Sequence, residues 1–192
     1  MNDFFALYDI LIDGIDTDAV VTNTLMGDCW TAVETKNHFG MAMTTPVDTA
    51  PRMLDRDYCG MSLKELATAA KSWNLTEAGF GMAAINAFYN TPARLAQMGA
   101  YEPFDNYCTD GVDLKDKRIG VIGHLNMPSS VSEQAREVLI LERNPRPGDY
   151  PDSACDFLLP RCDVVIMTAS TLVNKTLPHL LELCKNAYTI LA

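Results

Sequence analysis

Four short apolar segments in the second half of the chain constrain the fold more than any other feature. They are residues 118–123, 138–142, 163–168 and 188–191. The stretches between them are typical of helices: 129–136, 153–159 and 177–186. Apolar strands that alternate with helices predict a parallel sheet with both faces covered. The second half is therefore predicted to be a Rossmann-like α/β unit.

The first half of the chain has a different pattern. Residues 4–12 repeat apolar side chains at helical spacing. Three segments with strand character follow, separated by turn residues: 19–26, 29–35 and 39–44. Ser62 with Glu65 three residues later is a helix-capping pattern, and a second helix is expected from Thr76 until Pro92 stops it. This order predicts an antiparallel meander followed by packed helices, which is an α+β unit.

Charge also divides the chain into two parts. Residues 1–112 carry 15 acidic and 6 basic side chains, a net charge of −9, and residues 113–192 carry 10 and 9, a net charge of −1. The change falls near Asp110-Gly111-Val112, where turn residues cluster. We therefore expect two domains, the α+β unit over 1–112 and the Rossmann-like unit over 113–192. The chain as a whole is predicted to belong to the α/β class.

Composition excludes several classes of partner. The chain has 192 residues and a net charge of −10, which argues against nucleic acid because phosphate backbones are bound by clustered Lys and Arg. No apolar run approaches the roughly 18–20 residues of a membrane helix, so no membrane insertion is expected. Met1-Asn2-Asp3-Phe4 has no basic region ahead of apolar residues, so we expect a cytoplasmic protein and no secretion signal. The six cysteines form no CxxC pair and no cluster with zinc spacing, which favours reduced, mostly buried thiols.

Ligands of parallel α/β sheets bind beyond the carboxyl ends of the strands. This rule selects the loops that begin at Gly123-His124, at Glu142 and at Thr168. The first loop contains Gly120-x-x-Gly123 and lacks one glycine of the dinucleotide-binding pattern GxGxxG. Another polar or nucleotide-like small molecule is therefore a better candidate ligand than a nicotinamide dinucleotide.

Each candidate residue also has an alternative interpretation. Glu142 has the position of a ribose-binding carboxylate, or it is a solvated group paired with Arg143 or Arg146. His124 is an acid, base or metal ligand, or a structural histidine. The side chains of the segment 168–174 hold an anion at the next helix start, or they cap that helix and satisfy the loop backbone. The polar members of this segment are Thr168, Ser170, Thr171 and Asn174.

The C-terminal motifs resemble a family of unknown function that is named for heavy-metal chelation. The motifs are Leu141-Glu142-Arg143-Asn144-Pro145, Gly148-Asp149-Tyr150-Pro151-Asp152 and residues 168–177. The first half is similar to the family's N-terminal region through residues 27–33 and 84–87. The resemblance implies an enolase-N-terminal-like unit joined to a Rossmann-like unit, with an active site in the cleft between them. It also implies a role in handling heavy metals, without an established reaction.

The resemblance carries over a set of residues as a group, without assigning chemical roles. They are Glu142, Asn144, Thr168, Ser170 and Asn174, with Asn86 as a weaker candidate from the first unit. One departure is that the family's last strand normally continues into a turn and a further helical region, whereas this chain stops at Leu191-Ala192. We therefore expect a fragment or a short form, with an incomplete site. The exposed sheet edge would favour a homo-oligomer.

Together these observations predict a protein whose interdomain cleft binds a polar small molecule or metal chelate. The expected ligand-binding residues are Asn86, Gly123, His124, Glu142, Asn144, Thr168, Ser170, Thr171 and Asn174. The sequence does not decide whether the protein is an enzyme of metal-chelator metabolism or a binding protein. The alternatives are a non-catalytic heavy-metal-binding module and a nucleotide-sensing module, and the cofactor would be a heavy-metal ion or a nucleotide-like molecule.

Overall fold

A computed structural model describes residues 4–99 and 111–192 of the chain. These residues form two compact units. The first unit contains the described residues up to Gly99 together with Leu172–Asn174, and the second contains the other described residues from Gly111 onward. Asp110, at the predicted domain boundary, lies outside the described residues, so the division after residue 112 stays a prediction.

Within residues 4–99, the first unit contains one antiparallel sheet and four α-helices. In chain order its elements are α1 (Ala6–Asp13), β1 (Val21–Met26), β2 (Trp30–Thr35), β3 (Phe39–Met43), α2 (Leu63–Ala67), a 3-10 turn (Thr68–Lys71), α3 (Leu75–Tyr89) and α4 (Pro92–Gln97). The strand order is β1-β2-β3, and both pairs are antiparallel. The predicted meander is confirmed, since the turn residues between the strands are local signals that the sequence shows directly.

Helix α3 is the centre of the first unit, and small residues allow its neighbours to approach closely. A Cβ on Gly40 of β3 would lie 2.1 Å from the backbone N of Ala87. A Cβ on Gly81 would lie 2.0 Å from the backbone N of Ala70. Only glycine fits where one backbone lies directly against another, so these two positions determine how β3 and the 3-10 turn pack on α3.

The N-terminus of α3 is fixed by a capping pair and a buried carboxylate. Asn74 Oδ1 accepts from the backbone N of Glu77 at 3.0 Å. The Glu77 carboxylate is fully buried and accepts from the backbone N of Met53 and of Leu54, both at 2.7 Å. Because a buried charge must be hydrogen-bonded to be tolerated, Glu77 holds the loop between β3 and α2 against the helix.

The second unit is built on a parallel sheet. Its elements are β4 (Arg118–Ile122), α5 (Ser129–Gln134), β5 (Glu137–Glu142), β6 (Tyr150–Pro151), α6 (Cys155–Leu158), β7 (Val164–Met167), α7 (Ser170–Val173, whose last two residues group with the first unit), α8 (Leu177–Leu183) and β8 (Tyr188–Leu191). The strand order is β6-β5-β4-β7-β8, and all pairs are parallel. The predicted α/β class and the parallel, Rossmann-like arrangement are confirmed. The two-residue strand β6 was not predicted.

Both faces of this sheet are covered, as its apolar strands require. One face contributes a buried cluster of Leu114, Ile119, Val121, Val131, Val164, Ile166 and Ile190. On the other face, a Cβ on Gly120 would lie 3.0 Å from Leu159 and 3.1 Å from Sγ of Cys162. The helix predicted over residues 153–159 is shorter than expected, because α6 is flanked by 3-10 turns at Asp152–Ala154 and Leu159–Arg161, and Pro160 interrupts the backbone hydrogen bonding of the second turn.

None of the helices formed by residues 4–99 and 111–192 is long and apolar enough to span a lipid bilayer.

Candidate functional site

The carboxyl edge of the parallel sheet brings together loops from three neighbouring strands. Strand β4 lies between β5 and β7, so the chain leaves it toward β5 and later returns on the opposite side as β7. This reversal of strand order is the usual ligand position in open α/β sheets, because the loops on either side diverge there and leave a crevice. The candidate site is therefore built from the residues that follow β4, β5 and β7.

Gly123 begins the first loop in a backbone conformation that favours glycine. Its φ is +95°, and a Cβ there would lie 3.1 Å from Cγ2 of Thr168. Its N–H donates to the carbonyl O of Leu141 at 3.0 Å, which ties the end of β4 to β5. Gly123 thus turns the chain so that His124 lies beside the end of β5, and it brings the β4 and β7 loops into contact.

His124 lies between two carboxylates. Its Nε2 is 2.7 Å from Oδ2 of Asp149, and its Nδ1 is 3.6 Å from Oε2 of Glu142. The three side chains are only partly exposed, at 23% for His124, 21% for Glu142 and 9% for Asp149. The imidazole is therefore oriented by the protein and remains partly open to solvent.

Asp149 was not among the predicted site residues, although it belongs to a motif that carries the family resemblance. Its Oδ2 also accepts from the backbone N of Arg146 at 2.7 Å. The hydrogen bond from His124, and after it the Arg146 N–H, hold the pKa of Asp149 below its usual range. An ionised carboxylate only accepts hydrogen bonds, so His124 donates from Nε2, and a neutral ring then carries its lone pair on Nδ1.

The Glu142 carboxylate organises the backbone of two loops. Its Oε1 accepts from the backbone N of Arg143 at 2.7 Å and of Asn144 at 3.5 Å, and its Oε2 accepts from the backbone N of His124 at 3.1 Å. The guanidinium of Arg143 is directed instead to Asp152, with Nε 3.7 Å from Oδ2. Glu142 therefore links the β4 and β5 loops and still has lone pairs for a ligand.

The hydroxyl groups after β7 form a local network. Thr168 Oγ1 lies 3.1 Å from Ser170 Oγ and accepts from the backbone N of Ser170 at 3.3 Å. Thr171 is buried and donates from Oγ1 to the carbonyl O of Thr168 at 2.7 Å. These contacts shape the loop, and Thr168 reaches the first loop through its contact with Gly123.

The three asparagines predicted for the site have different surroundings. Asn144 is exposed and is held through its backbone by Glu142. Asn174 belongs to the short segment that groups with the first unit. Asn86 lies on α3 in the first unit, where its Nδ2 donates to the carbonyl O of Met41 at 2.7 Å and ties the helix to β3.

Few side chains in the described parts of the chain are placed to bind a metal ion. Across the described parts of the chain, no three or more His, Cys, Asp or Glu side chains are arranged to hold a metal ion. Burial raises the pKa of Cys155, Cys162 and Cys184 to about 11 in each case. A metal binds the thiolate, so burial makes these thiols poorer ligands than exposed ones.

The fold is that of a two-unit α/β protein with a polar, ordered loop cluster at the carboxyl edge of its parallel sheet. Two family models match the chain, DUF4213 over residues 8–89 and DUF364 over residues 110–192, and both are described as "putative heavy-metal chelation". The chain belongs to the family that these two models describe. No curated protein is similar enough to count as a match.

Two solved structures with the same fold carry the DUF364 name. A protein of unknown function from Desulfitobacterium hafniense is 36% identical with a TM-score of 0.85, over 98% of this chain and 77% of that chain. A protein of unknown function from Pyrococcus horikoshii is 29% identical with a TM-score of 0.73, over 96% of this chain and 75% of that chain. The predicted family resemblance is thereby confirmed.

Proposed function

We propose that the chain binds a metal chelate, a small organic molecule carrying a heavy-metal ion, at the carboxyl edge of the parallel sheet. The observation that carries this proposal is the 3.6 Å separation of His124 Nδ1 and Glu142 Oε2. The family description supports a metal-related ligand. The metal is part of the cargo, and no reaction is proposed for it.

The distance between the two atoms suits two donors to one ion. Metal–nitrogen and metal–oxygen bonds of about 2.0–2.2 Å at a tetrahedral ion place two donors roughly 3.4 Å apart. Asp149 behind the ring is the kind of outer carboxylate that fixes the tautomer and orientation of a metal-binding histidine. His124 and Glu142 thus need little rearrangement to bind an ion together.

A chelate fits these residues better than a bare ion does. Two donor groups fill only half of the four positions around a tetrahedral metal, and the described residues offer no third protein ligand beside them. Oxygen or nitrogen atoms of an organic chelator would complete the coordination. The polar groups around the edge would orient that molecule: the exposed amide of Asn144 and the hydroxyls of Thr168 and Ser170. The predicted roles of Thr171, Asn174 and Asn86 as ligand contacts stay predictions.

Calorimetric titration with Zn²⁺, citrate and the Zn²⁺–citrate complex tests the proposal. We expect the wild-type chain to bind the complex more tightly than it binds Zn²⁺ or citrate alone. In His124→Ala the affinity for the complex should fall at least about tenfold, because losing even an outer-shell partner of a metal ligand typically costs that much. His179→Ala is the matched control, because His179 Nε2 lies 2.9 Å from Asp156 Oδ1 in a similar His–Asp pair. Equal affinities in the two variants would contradict the proposal.

The same titration separates the proposal from direct metal binding. If Zn²⁺ alone bound as tightly as its citrate complex, the chain would be a metal-binding module and the chelate would have no role. A parallel titration with ATP tests the nucleotide alternative, since binding of ATP without binding of either zinc form would contradict the proposal and favour a nucleotide-binding site.

A further inference from the structure

The outer face of the three-stranded sheet in the first unit is apolar. Side chains alternate across a strand, so that in β2 the buried Thr31, Val33 and Thr35 share one face while Trp30, Ala32 and Glu34 share the outer face. Five large apolar side chains on the outer face are each 44–64% exposed: Leu25, Trp30, Phe39, Met41 and Met43. The outer face of an antiparallel sheet is ordinarily polar when it faces water, so this surface departs from the usual pattern.

The strand register makes these side chains contiguous. Ala32 pairs with Leu25 on one side and with Met41 on the other, and Trp30 pairs with Met43. The small side chain of Ala32 lies at the floor of a shallow cavity of about 280 Å³. The surface therefore offers both large projecting side chains and a recess to receive one.

The exposed apolar area is close to that of a standard-size protein interface. Aromatic side chains bury about 150–250 Å² each, so two aromatics and three aliphatics at half exposure present on the order of 450 Å² of apolar surface. A standard-size protein interface covers about 800 Å² per partner, and at the roughly 65% apolar content of homodimer interfaces this corresponds to about 500 Å² of apolar surface. The apolar surface of the outer face comes close to this value, and the polar residues Asn23 and Glu34 lie beside it.

We infer that this outer face is the contact between two copies of the chain, packed sheet against sheet across a twofold axis. A twofold contact uses the same patch on both partners, and a projecting Trp30 beside a recess at Ala32 provides both halves of such a contact. This surface differs from the sheet edge at β8, which the sequence suggested for association.

Charge gives the proposed contact a characteristic salt dependence. Residues 1–99 carry 12 acidic and 6 basic side chains, a net charge of −6, so two first units repel one another when they meet. Salt screens this repulsion, with a Debye length of about 10 Å at 0.1 M and about 3 Å at 1 M. The dimer should therefore become tighter as salt is raised, whereas binding of a basic partner to the same face would weaken.

Sedimentation equilibrium of the full chain at increasing NaCl concentration tests this inference. We expect a dimer whose dissociation constant falls with salt, and a monomer for Leu25→Lys combined with Met41→Lys. Phe157→Lys is the control, since Phe157 is 72% exposed on α6 in the second unit and should leave the dimer intact. A wild-type chain that is monomeric at about 100 μM, or a dimer unaffected by the double substitution, would overturn the inference.

A second measurement does not depend on those variants. In a Trp73→Phe background the remaining tryptophan is Trp30, whose emission should shift to shorter wavelength as protein concentration rises through the dissociation constant. An emission maximum independent of concentration, alongside a dimer in the centrifuge, would place the contact elsewhere and also overturn the inference.

Discussion

Oδ2 of Asp149 lies 2.7 Å from Nε2 of His124, although 25 positions separate the two residues in the chain. This hydrogen bond determines which ring nitrogen of His124 is left facing Glu142. Asp149 does not itself face the proposed ligand position, so it is a positioning residue.

Replacement of Asp149 should weaken metal-chelate binding without removing a metal ligand. We expect Asp149→Ala to lower the affinity for Zn²⁺–citrate by about 10- to 100-fold, as other losses of an outer carboxylate do. Asp149→Asn should recover part of the affinity, because its amide oxygen still accepts from Nε2. Calorimetry of the three proteins is the measurement, and an alanine variant with wild-type affinity would show that Asp149 does not position the ring.

The lowered pKa of Asp149 also predicts the pH dependence of stability. The folded chain holds this pKa below the value in the unfolded chain, first through His124 and then through the Arg146 N–H. The stabilisation is therefore present above the unfolded pKa and is lost as pH falls through the folded one. Urea midpoints of wild type and Asp149→Ala should differ at neutral pH and converge in acid. A difference that grew as the pH fell would contradict this sign.

Glu77 should contribute strongly to the stability of the first unit. Glu77→Ala removes two charge-assisted hydrogen bonds, each worth about 1.5–3 kcal/mol, from the partly buried N–H groups of Met53 and Leu54, so we expect a loss of about 3–5 kcal/mol. Glu77→Gln keeps one acceptor oxygen and should lose about half as much. The control is Glu65→Ala, whose exposed carboxylate pairs with Arg56 and should change the free energy of unfolding by less than about 1 kcal/mol. Urea denaturation measures all three.

Two glycines of α3 should respond oppositely to alanine. In Gly81→Ala the new Cβ would lie 2.0 Å from the backbone N of Ala70, so the 3-10 turn must move, and we expect a loss of about 3 kcal/mol or more. In Gly79→Ala the nearest atom is Oγ1 of Thr31 at 3.7 Å, which is an ordinary contact. This variant should gain up to about 1 kcal/mol from the higher helix propensity of alanine. Thermal unfolding distinguishes them, and equal melting temperatures would contradict the close approach.

Thiol reactivity should divide the cysteines by burial. Cys29 and Cys59 are exposed and should react with iodoacetamide in the folded chain. Cys155, Cys162 and Cys184 have pKa values of about 11, so about one in a thousand of each is thiolate at pH 8, and burial blocks access as well. Peptide mapping by mass spectrometry measures this, with urea-unfolded protein as the fully labelled control. Rapid labelling of the buried three would contradict the packing of α6 and α8.

Much of the fold could be predicted from the sequence because its signals are local. The turns around β2 and the apolar runs of β4 and β7 are visible in the residues themselves, and they are enough to distinguish an antiparallel meander from a parallel sheet. The position of the candidate site followed from the rule on strand ends, which selected Gly123, His124, Glu142 and Thr168.

The pairing within that edge depended on contacts between distant residues. Asp149 looks like an ordinary turn residue, and only the placement of β6 beside β5 brings it to His124. The sequence also did not reveal that Glu142 would accept from the N–H of His124, since this depends on the conformation of Gly123.

The order and type of most secondary structure, the family of the chain and the strand ends that carry polar residues could thus be predicted from the residues alone. That His124 lies between two carboxylates, and that the outer face from Leu25 to Met43 is left exposed, depended on the folded chain. Periodicity reports which side chains are apolar, whereas burial depends on whether another element packs against them. The outer face of the meander has the composition of a core, and no described element of the chain covers it.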